Sequence, residues 1–255
     1  MLEDMLGVKR HKMLESEKAD NSLGVLHAML RSTDEMYVGV DHEFETHGMR
    51  QVPCPGKTRR ADRNATNAVF LEVLEKQLVP FGAKTTEKAV WAALGRVGMQ
   101  PLQCVKDMNA HVDFYAQDSK QTDDTMMISY VAATAGFRKA DLTSIRIRKA
   151  MRKYVEATRA VFVCRLETQP QHANERKGIQ LRCNLRVVVE RLPDEKGEVT
   201  LIKSHYSVSR HAASVESFQH PGANADMAIA AWDETIVRVS EEVESILLDG
   251  ALRQS

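Results

Sequence analysis

GIQLRCNLRVVVE, residues 178–190, is the stretch that decides the fold. Ile179, Leu181, Cys183, Leu185, Val187 and Val189 share one parity, while Gln180, Arg182, Asn184, Arg186 and Glu190 share the other. A period of two held over this length predicts an antiparallel strand with one buried and one wet face. Upstream, Thr158–Thr168 repeats the pattern, with Ala160, Phe162, Cys164 and Leu166 set against Arg159, Val161, Val163, Arg165 and Glu167. Leu142–Tyr154 does so again, placing Ile145, Ile147 and Met151 against Arg146, Arg148 and Arg152. Downstream, Glu198–Ser209 puts Thr200, Ile202, Tyr206 and Val208 on one side. The intervening Asp194-Glu195-Lys196-Gly197 is a polar loop closed by glycine, as a hairpin turn requires.

Further from this centre the pattern changes period. From Asp226 to Leu248, Ile229, Trp232, Ile236, Val239, Val243 and Ile246 recur at steps of three and four, after a loop holding Pro221-Gly222. That is one apolar face of a long helix. Burial of each large member contributes roughly 1.5–3 kcal/mol, so the helix must lie against something. Val112–Gln117 and Thr125–Ala133 read as short strands. Thr86 and Glu87 open a short helix carrying Ala89, Val90, Trp91 and Leu94. Val69–Leu78 suits a strand, with a helix left open because Glu, Leu and Lys fit that period too. Before it, Gln51–Arg60, with two prolines, a glycine and a basic run, reads as a linker. Ser22–His47 carries a helical stripe of Leu23, Leu26, Leu30, Tyr37, Val40 and Phe44, interrupted at Thr33 and stopped at Gly48. Such a stripe needs a cover, and the reading favoured is an amphipathic helix docked within its own chain, the alternative being a partner protein.

The 255 residues carry 35 Lys+Arg against 35 Asp+Glu, so the net charge is +0, with 43% hydrophobic and 27% charged residues. That balance argues against direct nucleic-acid binding, which needs a clustered positive field. It leaves ample apolar material for a core. Cys54, Cys104, Cys164 and Cys183 are too far apart for zinc spacing and are read as reduced thiols. His42 and His47 are five apart, whereas two histidines sharing a helix face on zinc lie four apart. Gly56-Lys57-Thr58 lacks the glycine five residues earlier that a phosphate-binding loop needs, since Gln51 stands there. No metal, no cofactor and no transmembrane segment are expected. The N-terminus lacks a secretory profile, so the expected compartment is the cytoplasm, with the nucleus as the alternative.

Strand, short helix, a run of antiparallel strands and one long C-terminal helix is the element order of the START and Bet v 1-like helix-grip domains. Three phrases resemble something narrower, the START-like mating-specific proteins of oomycetes. They are Leu78-Val79-Pro80-Phe81 leading to Thr86-Glu87-Lys88-Ala89-Val90-Trp91, then Arg152–Val163, then Met227–Leu248. The resemblance spans about Asp34 to Leu248 and is structural rather than catalytic. The chain lacks the basic-zipper or coiled-coil segment often found upstream in that family, which bears against a transcription-factor role.

The resemblance implies an α+β helix-grip domain over residues 61–255, a curved antiparallel sheet wrapped around the C-terminal helix, preceded by an N-terminal helical segment and linker at 1–60. It also implies a cavity between sheet and helix for a lipid or other hydrophobic small molecule. The candidate walls are Phe162, Cys164, Leu166, Leu181, Cys183, Leu185, Ile202 and Tyr206 on the strands, faced by Trp232, Ile236 and Val239 on the helix. Taken singly, each is better explained as filled core, because one apolar stripe looks the same either way. The alternative function is a regulatory or protein-interaction module, transcription-associated or otherwise, that uses the fold without a ligand. An enzyme of the polyketide-cyclase kind is the weakest reading, because no catalytic constellation is visible. Arg146, Arg148, Arg152, Arg159, Arg165, Arg182 and Arg186 are expected on the wet face, paired with carboxylates such as Glu167 and Glu190 rather than forming a phosphate-binding patch.

Overall fold

Alternating residues become strands throughout the middle of the chain. The computed structural model describes residues 19–65, 69–107, 111–135, 142–170, 180–192, 199–210 and 221–253. The strands are β1 (Gly56–Ala61), β2 (Val69–Val79), β3 (His111–Gln121), β4 (Thr125–Ala135), β5 (Leu142–Val155), β6 (Arg159–Pro170), β7 (Leu181–Arg191) and β8 (Thr200–Arg210). The helices are α1 (Ala19–Val38), α2 (Val40–Thr46), α3 (Ala83–Arg96), α4 (Gln103–Lys106) and α5 (Pro221–Leu252), with a 3-10 turn at Met49–Gln51. The helical alternative for Val69–Leu78 is set aside, and the strands around 112–133 run longer than the sequence pattern indicates. The Asp194–Gly197 turn lies outside the described residues.

All eight described strands form one antiparallel sheet in the order β1-β2-β8-β7-β6-β5-β4-β3. From β3 to β8 each strand pairs with the next. β2, which precedes the helices α3 and α4, returns to pair with β8. This α+β arrangement, an open antiparallel sheet with a long C-terminal helix, is consistent with a helix-grip fold.

Register fixes what each face carries. Met151, Cys164, Leu185, Tyr206 and Val73 are successive partners across β5, β6, β7, β8 and β2, and all are buried on the inner face. The neighbouring row, Arg152, Val163, Arg186, His205 and Leu74, lies on the outer face. The inner row belongs to one apolar cluster that also takes Ala89, Val90, Ala93, Leu94 and Val97 from α3 and the seam of α5. Ile229, Trp232, Ile236, Val239 and Val243 are buried there, and Leu247 rather than Ile246 occupies the last place.

The outer face differs from expectation. It is covered by the N-terminal helices rather than left to water. Met36, Val40, Phe44, Met49 and Val52 pack on Leu74, Val161, Val163 and Val188. Leu26, Met29 and Leu30 pack on Met127 and Ala150. Thr33 does not break this stripe, because its buried hydroxyl donates to the Leu30 carbonyl at 2.7 Å.

Two further expectations are corrected. The supposed linker contains β1, paired residue by residue with β2 from Gly56–Lys76 to Ala61–Leu71. Its residues are largely exposed, so an edge strand held by backbone hydrogen bonds carries no hydrophobic alternation to read. Pro221-Gly222 belongs to the first turn of α5 rather than to a loop, where the missing proline N–H costs nothing. Gly48 does end the α2 region, with φ +81°, and Gly98 after α3 has φ +80°. A Cβ at Gly98 would stand 2.6 Å from the Tyr130 hydroxyl, which donates to the Gly98 carbonyl.

Candidate functional site

Ten of the eleven expected wall residues are buried together in the inner apolar cluster, and Leu181 packs against its edge partly exposed. Phe162 lies 6.4 Å, ring to ring, from Trp91 of α3. Tyr206 is fully enclosed, and burial pushes its phenol well above the usual range despite a hydrogen bond with Ser204. Cys164 is enclosed as well, its thiol pushed up to about 11 by burial against the opposing influence of Lys149. All four cysteines are free thiols.

The polar groups inside this cluster serve the fold. Lys149 has no exposure, and its ammonium donates to the carbonyls of Leu94, Gly95 (2.9 Å) and Val97 (3.3 Å). Those carbonyls end α3, where a helix leaves acceptors unpaired. Burial lowers the Lys149 pKa to about 8, and the three carbonyl acceptors are what the charged amine needs in place of water.

The margin of the cluster opens between α5 and the β1–β2 edge. A cleft of about 120 Å³ is lined there by Val73 and Ile236, with Lys57, Arg59, Glu75 and Asp233 at its polar rim. Arg59 closes on Asp233 through a bidentate ion pair, with Nη2–Oδ2 at 2.5 Å and Nε–Oδ1 at 2.9 Å. Beside it, the Ser240 hydroxyl donates to Glu75 at 2.9 Å. On its other side α5 is tied to α3 by the Arg96–Glu242 ion pair, and to α4 by Glu234, which accepts from the Gln103 and Cys104 amides at 2.5 and 2.9 Å.

Four of the seven arginines expected on a wet face form a clamp on the N-terminal helices instead. Arg152 reaches Asp34 at 2.5 Å, and Arg159 holds Asp41 bidentately at 2.6 and 2.9 Å. Arg165 donates to Ser32 at 2.8 Å, and Arg186 lies 3.4 Å from Glu43. Tyr154 donates to Asp34 at 2.6 Å and stacks on Tyr37 with ring centres 3.9 Å apart. Arg165 and Arg182 share Glu167 across strands as expected, whereas Glu190 pairs with Lys203.

One cluster on this outer face escapes a sequence reading. His47 follows α2, Glu72 lies on β2 and His205 on β8. His47 Nδ1 is 2.5 Å and His205 Nε2 3.0 Å from the same Glu72 oxygen. The Leu74–His205 pairing sets Glu72 diagonally beside His205, and the stop at Gly48 brings His47 down onto both. Burial lowers the His205 pKa below 6.5, against the hydrogen bond to Glu72. The sequence test for zinc asked for two histidines on one helix, so it passed over a pair from two separate elements.

No protein-family model matches the chain, and no curated protein does either. Among solved structures the chain is similar to the Zhui aromatase/cyclase of Streptomyces sp. R1128, at 12% identity and a TM-score of 0.39, over 72% of this chain and 95% of that one. It is similar also to a hypothetical protein of Helicobacter pylori, at 11% identity and TM-score 0.31 over 64% and 84% of the two chains. A protein of Thermus thermophilus gives 9% identity and TM-score 0.33 over 68% and 97%. No helix among the described residues is long and apolar enough to cross a membrane.

Proposed function

We propose that this chain is a START-like, non-catalytic binder of a lipid or other hydrophobic small molecule held between sheet and C-terminal helix. The observation that carries the reading is the position of the cleft. It opens where the continuous apolar layer meets the edge of α5 facing β1 and β2, and its inner lining, Val73 and Ile236, belongs to that layer. At about 120 Å³ it is smaller than the roughly 300–1,000 Å³ of sites for drug-sized ligands. Entry of a ligand therefore requires α5 to move away from β1, which breaks the Arg59–Asp233 pair.

Native mass spectrometry of the full chain purified from its own cells tests it. A bound apolar mass, released on unfolding, is the expected result, together with saturable uptake of a fluorescent fatty acid that is faster in Arg59→Ala. A uniformly ligand-free mass with no saturable uptake in either protein overturns it.

A further inference from the structure

The His47–Glu72–His205 cluster belongs to no part of the apolar layer, since it sits on the opposite face of the sheet. We propose that it is a site for a divalent transition ion of the zinc class, with these three side chains as its ligands.

The donor set is the first ground. Two imidazole nitrogens and one carboxylate oxygen lie within 4.8 Å of one another. That chemistry suits zinc, which takes three protein ligands and leaves its fourth position to water in open sites. At the usual zinc distances of about 2.0–2.2 Å, tetrahedral donors stand roughly 3.4 Å apart. The observed separations of 2.5 and 3.0 Å from Glu72 oxygen to His47 and His205 need to widen by less than about 1 Å. His47, whose side chain is 30% exposed, can supply that movement, while His205 at 1% and Glu72 at 10% are fixed by their strands.

The surroundings are the second ground. With His47 ligating through Nδ1, its Nε2 lies 3.7 Å from Oε2 of Glu43, an oxygen also 3.4 Å from Arg186, so a small shift of the ring would bring the two into hydrogen-bond range. A carboxylate behind a histidine ligand orients the ring and raises its basicity. Arg60 stands 3.9 Å from Oε2 of Glu72, the carboxylate oxygen other than the one at 2.5 and 3.0 Å from the histidines. Each ligand comes from a different element, so the ion would pin the end of α2 to β2 and β8. The partly exposed His47 side provides its path to solvent.

The test uses tag-free full chain stripped with a chelator, Zn²⁺ for stoichiometry and Co²⁺ for its visible absorption. One Zn²⁺ per chain by native mass spectrometry is expected, with a tetrahedral Co²⁺ spectrum and a rise in the thermal midpoint on zinc addition. Glu72→Gln should weaken binding by tenfold or more. His47→Ala, at the most exposed ligand, should do the same with an unchanged circular dichroism spectrum, which separates lost binding from lost folding. Absence of stoichiometric Zn²⁺ overturns the site, leaving Glu72 as a hydrogen-bond bridge between two imidazoles. Zinc binding that survives in both variants overturns it equally, by placing the ion elsewhere.

Discussion

Lys149 shares its parity on β5 with Ile147 and Met151, and the structure turns all three toward the inner cluster. A lysine there would be costly were its charge not met, because an unpaired buried ammonium loses its hydration. Three carbonyl acceptors at the end of α3 meet it, and three N–H donors are what an ammonium supplies. Lys149→Met keeps the stem volume but strips those acceptors of their partner. Hydrogen bonds to a charged group contribute roughly 1.5–3 kcal/mol and stranded acceptors cost a similar amount. The variant should therefore lose about 3 kcal/mol in urea unfolding, with Gly95–Gly98 losing hydrogen-exchange protection first. A loss below about 1 kcal/mol would show that water replaces the amine. Nothing in the strand pattern announced this role, because alternation says which way a side chain points and not what waits for it.

The elements that were legible from sequence are those whose two faces differ strongly. From Leu181 to Val189 the parity of β7 emerges as read, Ile179 lying outside the described residues, and the seam of α5 shifts only from Ile246 to Leu247. β1 was not legible, since GKTRRA is solvated on both sides and is a strand only because β2 offers it hydrogen bonds. The outer face was misread for the opposite reason. Val161, Val163 and Val188 sit among arginines, and mixed composition looks like a wet surface until the covering helix is placed. That cover is held by charge at its rim. Burial alone would raise the Asp34 carboxyl, yet hydrogen bonds from Tyr154 and Arg152 bring it below its ordinary 3.8. For Asp41 the hydrogen bond from Arg159 does the same. A carboxyl with a depressed pKa in the folded state stabilises it fully above the unfolded value, and that stabilisation fades as pH falls through the folded value. Protection of α1 and α2 amides should thus hold from pH 7 down to about 4 and fall below it, ahead of the β6–β7 amides. Asp34→Asn should flatten much of that dependence for α1. Equal loss in helices and central strands would mean that the clamp is not the acid-sensitive part.

At the scale of the whole molecule the sheet is a partition with two unlike layers. Its inner face meets α3 and α5 in one extensive apolar cluster, and its outer face meets α1 and α2 in two smaller ones ringed by ion pairs. A boundary near residue 60 would treat everything before it as an appendage to a self-sufficient domain. The N-terminal helices cover a strip of apolar strand side chains, and a shortened chain decides whether the sheet can leave it bare. Phe44, Val40 and Met36 lie over Leu74, Val161, Val163 and Val188, and removing the helices would expose a contiguous patch of strand side chains, the kind of surface that drives association. A chain beginning at Pro53 keeps all eight described strands, α3, α4 and α5, so it tests the point directly. It should bind a hydrophobic dye strongly and associate at micromolar concentration. Val40→Asp combined with Phe44→Asp in the full chain should reproduce the dye binding without shortening the protein. Truncating a buried phenylalanine costs roughly 3–5 kcal/mol, and burying a charge in its place costs more, so the doubly substituted helices should detach rather than repack. A monomeric, dye-free chain from Pro53 with unchanged unfolding midpoint would mean that the inner layer alone stabilises the fold, and that α1 and α2 are free to serve a partner.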